Sequence, residues 1–169
     1  MFRKKINLSS FQSCVDKLYK RGLTIAFAES MTAGYLSSVF SQGIHADSYF
    51  RGSIIAFDKS VKEELLGVHA ETIAQFSAES IATSTAMIEG LKKLIPADIH
   101  IGVTGLAQPG GSENRHKPVG SVFIAVLYKE ILYLKSYRFQ GNSTAINIAT
   151  LNFVVAEILL LLEEPYLKK

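Results

Sequence analysis

At 169 residues, 48% hydrophobic and 20% charged, the chain is long enough to bury a core and too apolar to be disordered. We therefore predict one domain that spans residues 1–169. The net charge of +3 is too small to favour a nucleic-acid partner, and the single cysteine, Cys14, excludes an internal disulfide. A lone thiol suits a reducing compartment, and no apolar stretch follows the charged N-terminus, so we expect a cytoplasmic protein without a signal peptide.

The spacing of apolar residues divides the chain into alternating helices and strands. Predicted helices cover residues 8–19, 32–40, 59–66, 77–94 and 144–162, and predicted strands cover residues 23–28, 53–57, 99–104, 119–128 and 131–139. Only Lys129-Glu130 separates the last two strands, which favours an antiparallel hairpin. Strands that alternate with helices and end in one hairpin predict a three-layer α/β fold with a mixed sheet.

The most apolar segment covers residues 145–162. Four polar residues interrupt it, namely Asn147, Thr150, Asn152 and Glu157. A bilayer would leave these groups without hydrogen-bond partners, which is unfavourable. We therefore predict a terminal helix that is buried against the sheet, a second subunit or both, and not a membrane span.

The turn after the first predicted strand contains a possible nucleophile. The strand ends at Glu29-Ser30, and a helix-like run begins shortly afterwards. A serine at such a turn lies beside the free N–H groups of a helix N-terminus, which stabilise an anion. The alternative is that Ser30 or Thr32 simply caps the helix, and the local pattern alone favours the cap.

A serine nucleophile needs a base within hydrogen-bond reach. The four histidines lie in predicted loops or at a strand start, without the context of a catalytic triad. A lysine serves instead when burial or neighbouring charge lowers its pKa. Lys62 is the strongest candidate, because the positive end of its helix favours a neutral amine, and Lys59 is its nearest rival. The alternative for both is an ordinary exposed helix lysine.

A glycine-rich loop, 105–111, follows the third predicted strand, and Lys117-Pro118-Val119-Gly120 lies just beyond it. Glycine lets the backbone approach a ligand, and its N–H groups bind phosphate or carboxylate, although a long turn before the hairpin also needs glycine. Parallel strands end at one edge of a sheet, so we expect the loops after Ala28, Phe57 and Thr104 to share one crevice. The sequence has no P-loop and no Cys/His set with metal-ligand spacing, so we expect no metal.

Together these segments resemble the CinA C-terminal domain family, which includes stand-alone nicotinamide mononucleotide amidases. The likeness spans residues 8–161. It is carried, in matching order and spacing, by Ala28-Glu29-Ser30-x-Thr32-Ala33-Gly34, by Lys62 with Leu65-Leu66-Gly67-Val68, by Thr104-Gly105-Leu106-Ala107 with Pro109-Gly110-Gly111, and by Lys117-Pro118-Val119-Gly120. The resemblance implies a three-layer α/β/α sandwich with a mixed, mostly parallel five-stranded sheet, similar to anticodon-binding domains.

The resemblance also implies a reaction, the hydrolysis of nicotinamide mononucleotide to nicotinic acid mononucleotide and ammonia. It implies that Ser30 is the nucleophile, that Lys62 is the general base, and that backbone N–H groups after Ser30 hold the oxyanion, with no cofactor. The residues implied in substrate binding are Glu29, Thr32, Gly34, Phe57, Thr104, Gly105, Ala107, Gly110 and Gly111. A homodimer is implied, with a pyridine nucleotide as partner and no nucleic acid or membrane.

The chain departs from the family pattern within these motifs. Phe57 stands where the family has a tyrosine that assists the serine and the lysine. Ser143 and Asn147 stand where the family has arginines, which are a source of positive charge for a phosphate. Gln108 stands between Ala107 and the proline in place of a glycine, with one residue fewer before the paired glycines.

Two readings therefore stay open. The first is a working amidohydrolase with an altered substrate preference. The second is a catalytically impaired relative that binds a nucleotide or a protein partner through the same crevice. Retention of both Ser30 and Lys62 favours the enzyme, because a purely structural site needs neither residue.

Overall fold

The computed structural model describes residues 5–163, which form one five-stranded sheet flanked by helices. The strands are β1 (Ile25–Glu29), β2 (Phe50–Ile55), β3 (Ile99–Gly105), β4 (Ser121–Tyr128) and β5 (Ile131–Arg138). The helices are α1 (Leu8–Arg21), α2 (Tyr35–Phe40), α3 (Ala46–Tyr49), α4 (Lys59–Glu64), α5 (Ala70–Phe76), α6 (Ile81–Leu94) and α7 (Ser143–Glu163).

The sheet has the strand order β2-β1-β3-β4-β5. Strand β1 pairs in parallel with β2 and β3, whereas β3 with β4 and β4 with β5 pair in antiparallel fashion. Strand β4 alone therefore runs against the others, which confirms the predicted hairpin and the mixed, mostly parallel sheet. The parallel strands bring their carboxyl ends to one edge, where ligands bind in sheets of this kind.

Alternating side chains along β1 face two separate cores. Ile25 and Phe27 belong to the core shared with α1, α2 and α7, whereas the two alanines of β1 belong to a core with α5 and α6. Small residues on this second face let α6 lie close to the sheet, because a Cβ on Gly102 would lie 2.3 Å from the carbonyl oxygen of Ser84. Helices on both faces confirm the predicted three-layer sandwich.

Helix α7 is long and apolar enough to cross a membrane by length and composition alone. In this fold it packs against α1 and contributes to the larger core. Three of the four polar residues named above have partners within the protein: Asn152 bonds to the backbone of Asn7 and Lys5 at 2.8 and 3.0 Å, Thr150 donates to the Ile146 carbonyl at 2.8 Å, and Glu157 lies 3.1 Å from Lys135. The predicted burial of this helix is confirmed, and the expectation of no membrane partner stays a prediction.

Strand β5 lies at the open edge of the sheet and carries exposed apolar side chains. These residues are Ile131, Leu132, Leu134 and Tyr137. An edge strand of this composition is suited to pairing with a second chain. The homodimer implied by the family resemblance stays a prediction.

Element boundaries differ from the predicted ones mainly at turns with positive φ. Helix α2 begins at Tyr35 and not at residue 32, because Ala33 and Gly34 have φ of 48° and 91°. Helix α6 begins at Ile81, because Ser77 has φ of 73° and interrupts the predicted helix. Strand β2 lies earlier than predicted, and the short helices α3 and α5 were not predicted.

Candidate functional site

A cavity of about 450 Å³ lies where the turns after β1, β2 and β3 meet the start of α7. Its lining consists of Ser30, Met31, Ala33, Phe57, Glu79, residues 105–111, Ser143 and Asn147. The prediction that the three turns share one crevice is therefore confirmed. A second concavity, of about 490 Å³, is lined by side chains of α1 alone. It lies away from the strand ends and lacks the convergence of loops that marks a ligand site in such sheets.

The carboxylate of Glu29 caps the helix that follows the β1 turn. It is fully buried and accepts hydrogen bonds from three backbone N–H groups of residues 34–37 at 2.9–3.1 Å, and from the Ser53 hydroxyl at 3.3 Å. The N-cap residue of α2 is a glycine without a capping side chain. The expectation that Ser30 or Thr32 caps this helix is therefore wrong, because the acidic residue of the preceding strand does so.

We expect Glu29→Ala to lower the free energy of unfolding by about 2–4 kcal/mol, because several buried donors lose their acceptor. Glu29→Gln keeps the shape and one carbonyl oxygen, so its loss is expected to be smaller. Urea unfolding of both variants measures the effect. An alanine variant as stable as wild type would contradict the capping role.

Ser30 does not cap α2, because Glu29 does so, and it lines the cavity. Its N–H donates to the Val103 carbonyl at 3.0 Å and its carbonyl accepts from Ala33 at 3.0 Å, so backbone contacts fix the turn. Within residues 5–163 its hydroxyl makes no hydrogen bond, and the N–H groups of Met31 and Thr32 have no partner. A hydroxyl beside two free N–H groups suits nucleophilic attack with oxyanion stabilisation.

The side-chain nitrogen of Lys62 is buried against the turn that follows β2. The residue is 2% exposed, and Nζ donates to the carbonyls of Ala56 at 2.7 Å and Phe57 at 3.0 Å. The Ala56 N–H in turn donates to the carbonyl of Glu29 at 2.7 Å, so one residue links the lysine to the serine turn. A neutral amine has two N–H groups, and these carbonyls take both, which leaves its lone pair to accept a proton.

Burial lowers the pKa of Lys62 below its usual value of 10.5, and the carboxylates of Glu79 and Asp58 oppose this shift. The predicted cause, the positive end of the helix, is wrong, because Lys62 lies in the last turn of α4. Lys59, its rival, is exposed and pairs with Glu63 at 3.3 Å. The structure therefore separates Lys62, buried against the turn after β2, from Lys59, an ordinary surface lysine.

The glycine-rich loop lines one side of the cavity, but part of its backbone is already occupied. The Gly110 N–H donates to the Glu113 carboxylate at 2.8 Å. Hydrogen bonds from the backbone of Gly110, Glu113 and Gly111 hold the pKa of that carboxyl below its usual value. The N–H groups that were expected to bind an anion of the ligand therefore bind an anion of the protein.

Sequence reasoning missed a polar cluster behind this loop. The Lys117 ammonium donates to the hydroxyls of Ser77 and Ser112 and to the Glu79 carbonyl, and it lies 3.8 Å from the Glu79 carboxylate. Ser112 also donates to that carboxylate. The cluster ties the loop to the segment before α6 and brings Glu79 to the cavity wall. Lys117 belonged to a motif in the sequence, whereas Glu79 had no local signal, because its partners are 33 and 38 residues away.

The predicted site residues divide into two groups. Those that line the cavity are Ser30, Phe57, Gly105, Ala107, Gly110 and Gly111. Those outside its lining are Glu29, Thr32, Gly34, Lys62 and Thr104. The Thr104 hydroxyl is buried 2.9 Å from that of Ser84, and the buried Thr32 hydroxyl has no partner among the described residues. Ser143 and Asn147, at the positions where the family resemblance implies arginines, both lie at the wall.

The fold and the site define a three-layer α/β domain with a free serine and a buried lysine at the carboxyl ends of its parallel strands. The model of the CinA C-terminal domain matches residues 8–162, and the chain belongs to the CinA family.

Similar proteins agree with this assignment. A competence-damage inducible protein of Desulforamulus reducens is 43% identical over 135 residues, which are 80% of this chain and 32% of that protein. A CinA-like protein of Petrotoga mobilis is 37% identical over 153 residues, which are 90% of this chain and 38% of that protein. The chain therefore spans about a third of the length of these relatives.

Solved structures show the same fold. A CinA superfamily protein from Klebsiella pneumoniae has a TM-score of 0.86 at 28% identity, over 91% of this chain and 96% of that one. A competence/damage inducible protein from Agrobacterium tumefaciens has a TM-score of 0.84 at 26% identity, and the match covers 97% of this chain and 99% of that one. The names of these proteins give the family and not a reaction.

Proposed function

We propose that this chain is an amidohydrolase that releases ammonia from a pyridine carboxamide, as in the deamidation of nicotinamide mononucleotide. The observation that carries the proposal is the Ser30 hydroxyl, which lies at a cavity and has no hydrogen-bond partner within residues 5–163, next to a turn held by a buried Lys62 of lowered pKa. Such a pair supplies a nucleophile and a base without histidine. Membership of the CinA family, which includes amidohydrolases, supports the same class of reaction.

In the proposed first step, Ser30 Oγ attacks the carboxamide carbon while the neutral Lys62 amine takes the hydroxyl proton. The N–H groups of Met31 and Thr32 stabilise the oxyanion. The proton passes from Lys62 to the amide nitrogen as the C–N bond breaks, which releases ammonia and leaves an ester on Ser30. Water then attacks the ester and gives a proton to Lys62, and collapse returns that proton to Ser30 and frees the carboxylic acid.

Two further residues have supporting roles in this proposal. Glu29 positions the serine, because it ties the end of β1 to the helix beyond the turn. Phe57 offers an exposed aromatic ring at the cavity wall, suited to stacking on a pyridine ring. Phe57 lacks the phenol hydroxyl of a tyrosine. The loss of one hydrogen-bond donor in an active site lowers the rate by about 10²–10³-fold, and we expect a reduction of that size here.

Ammonia release from a panel of nicotinamide, nicotinamide riboside, nicotinamide mononucleotide and simple aliphatic amides tests the proposal. We expect release from at least one pyridine carboxamide, and a gain of about 10–100-fold in Phe57→Tyr, which restores a hydroxyl at the wall. The aliphatic amides lack a pyridine ring that could stack on Phe57, so they are the control for substrate specificity. If neither protein releases ammonia from any amide, the chain belongs to the second class, a catalytically impaired binding protein.

A further inference from the structure

We propose that the substrate of this site is a carboxamide that carries no phosphate group. The inference rests on the proposed function, because it names the substrate class for the same cavity. Its support comes from the charges on the cavity wall, from the contacts of the lysines behind the wall, and from the occupation of the backbone N–H groups.

Within residues 5–163, the cavity wall presents a carboxylate acceptor and no cationic side chain. Among the lining residues, all within the range 5–163, Glu79 alone has an acidic or basic side chain. Its Oε2 accepts a hydrogen bond from Ser112, and its Oε1 has no hydrogen bond to the described residues. Acceptors of this kind bind hydroxyl and N–H groups or a cationic ring, and they disfavour a phosphate.

Two lysines lie behind the wall, and their contacts with residues 5–163 leave at most one N–H group, on Lys62, for a phosphate. The three N–H groups of Lys117 are used by the hydroxyls of Ser77 and Ser112 and by the Glu79 carbonyl. Two N–H groups of Lys62 are used by backbone carbonyls. The proposed reaction also requires Lys62 to be neutral, and a neutral amine contributes no charge to anion binding.

Some of the backbone N–H groups near the wall are also occupied. Gly110 and Gly111, in the loop, hold the carboxylate of Glu113. At the start of α7, Asn142 caps the helix by accepting from the Ala145 N–H at 3.0 Å. A phosphate at these N–H groups would therefore have to displace groups of the protein, and the described lining residues offer it no cation in return.

Nicotinamide riboside and nicotinamide mononucleotide form a matched pair of probes, because they differ only in the 5′-phosphate. Both carry the same positively charged pyridine ring, so any attraction between this ring and the Glu79 carboxylate is expected to be the same for the two probes. We expect kcat/KM for ammonia release to favour the riboside by about 10-fold or more, the scale set by charged hydrogen bonds. A preference for the mononucleotide would overturn the inference.

A variant that adds a cation to the wall sharpens this test. Ser143→Arg is expected to shift the ratio of kcat/KM toward the mononucleotide by about 10-fold or more. Ser143→Gln, of similar polarity but uncharged, is the matched control and is expected to leave the ratio close to that of wild type. An arginine variant with the wild-type ratio, in a folded protein, would contradict the inference.

A binding measurement separates failure of the inference from failure of the proposed reaction. If wild type releases no ammonia from either probe, the proposed function fails, and calorimetric titration of wild type with both probes decides the inference. Tighter binding of the riboside supports it. Tighter binding of the mononucleotide, or binding of neither probe, overturns it.

Discussion

Ser30→Ala is expected to lower kcat/KM for ammonia release by about 10³-fold or more, because the attacking oxygen is lost. The free energy of unfolding is expected to change by less than about 0.5 kcal/mol, because the Ser30 hydroxyl makes no hydrogen bond to the described residues. Large loss of activity with unchanged stability is the signature of a nucleophile. The ammonia assay and urea unfolding of the same preparation measure the two effects.

Ser38→Ala is the matched control, since Ser38 is an exposed serine on the helix that follows the turn. We expect its activity to equal that of wild type. Mass spectrometry of wild type during turnover is expected to detect the acyl group on Ser30, and the alanine variant is expected to show none. If Ser30→Ala keeps more than a tenth of the wild-type activity, the nucleophile lies elsewhere and the mechanism fails.

The sheet and its layers were predictable because their signals are local. Buried strands such as β1 and β3 read as short apolar runs, and two polar residues between β4 and β5 fix a hairpin. The resulting order of elements already places the ends of three parallel strands at one edge. The convergence of loops at the cavity follows from that topology alone.

The roles of individual site residues were less predictable because they depend on contacts between distant segments. Glu29 looked like part of a motif, yet its carboxylate bonds to α2 and to Ser53 on the neighbouring strand. Nothing in the sequence around Glu79 indicates its contact with Lys117, which lies 38 residues further along the chain. Local patterns identify residue types at a site, whereas side-chain partners come from the tertiary fold.

The choice of Lys62 as the candidate general base also depends on the tertiary fold. Helical position alone did not distinguish Lys62 from Lys59. The sequence argument that the positive end of the helix lowers the pKa of Lys62 was wrong, because Lys62 lies in the last turn of α4. The distinction comes from burial, because Nζ of Lys62 folds back to carbonyls that precede its own helix. Removal from water is a property of the packed structure and leaves no pattern in the sequence.

Lys62→Met is the second variant with a large expected effect. We expect kcat/KM to fall by about 10²–10⁴-fold, the usual contribution of a general base. Lys62→Arg is expected to be equally inactive, because arginine keeps the charge and the donors but does not accept a proton near neutral pH. Lys59→Met, at an exposed position of the same helix, is the control and is expected to retain full activity. Activity in the arginine variant would contradict the role of Lys62 as a base.

The pH dependence provides an independent test of the same residue. Only the neutral amine accepts a proton, so kcat/KM is expected to rise with pH and to level off above the folded-state pKa of Lys62, which burial places below 10.5. The unfolded chain binds more protons between that pKa and 10.5, so Lys62 makes the free energy of unfolding rise with pH across this interval. Below it, the penalty for burying the charge is present in full. Lys62→Met is expected to lack this rise in urea unfolding at a series of pH values, and an unchanged slope would show that the buried amine is not the titrating group.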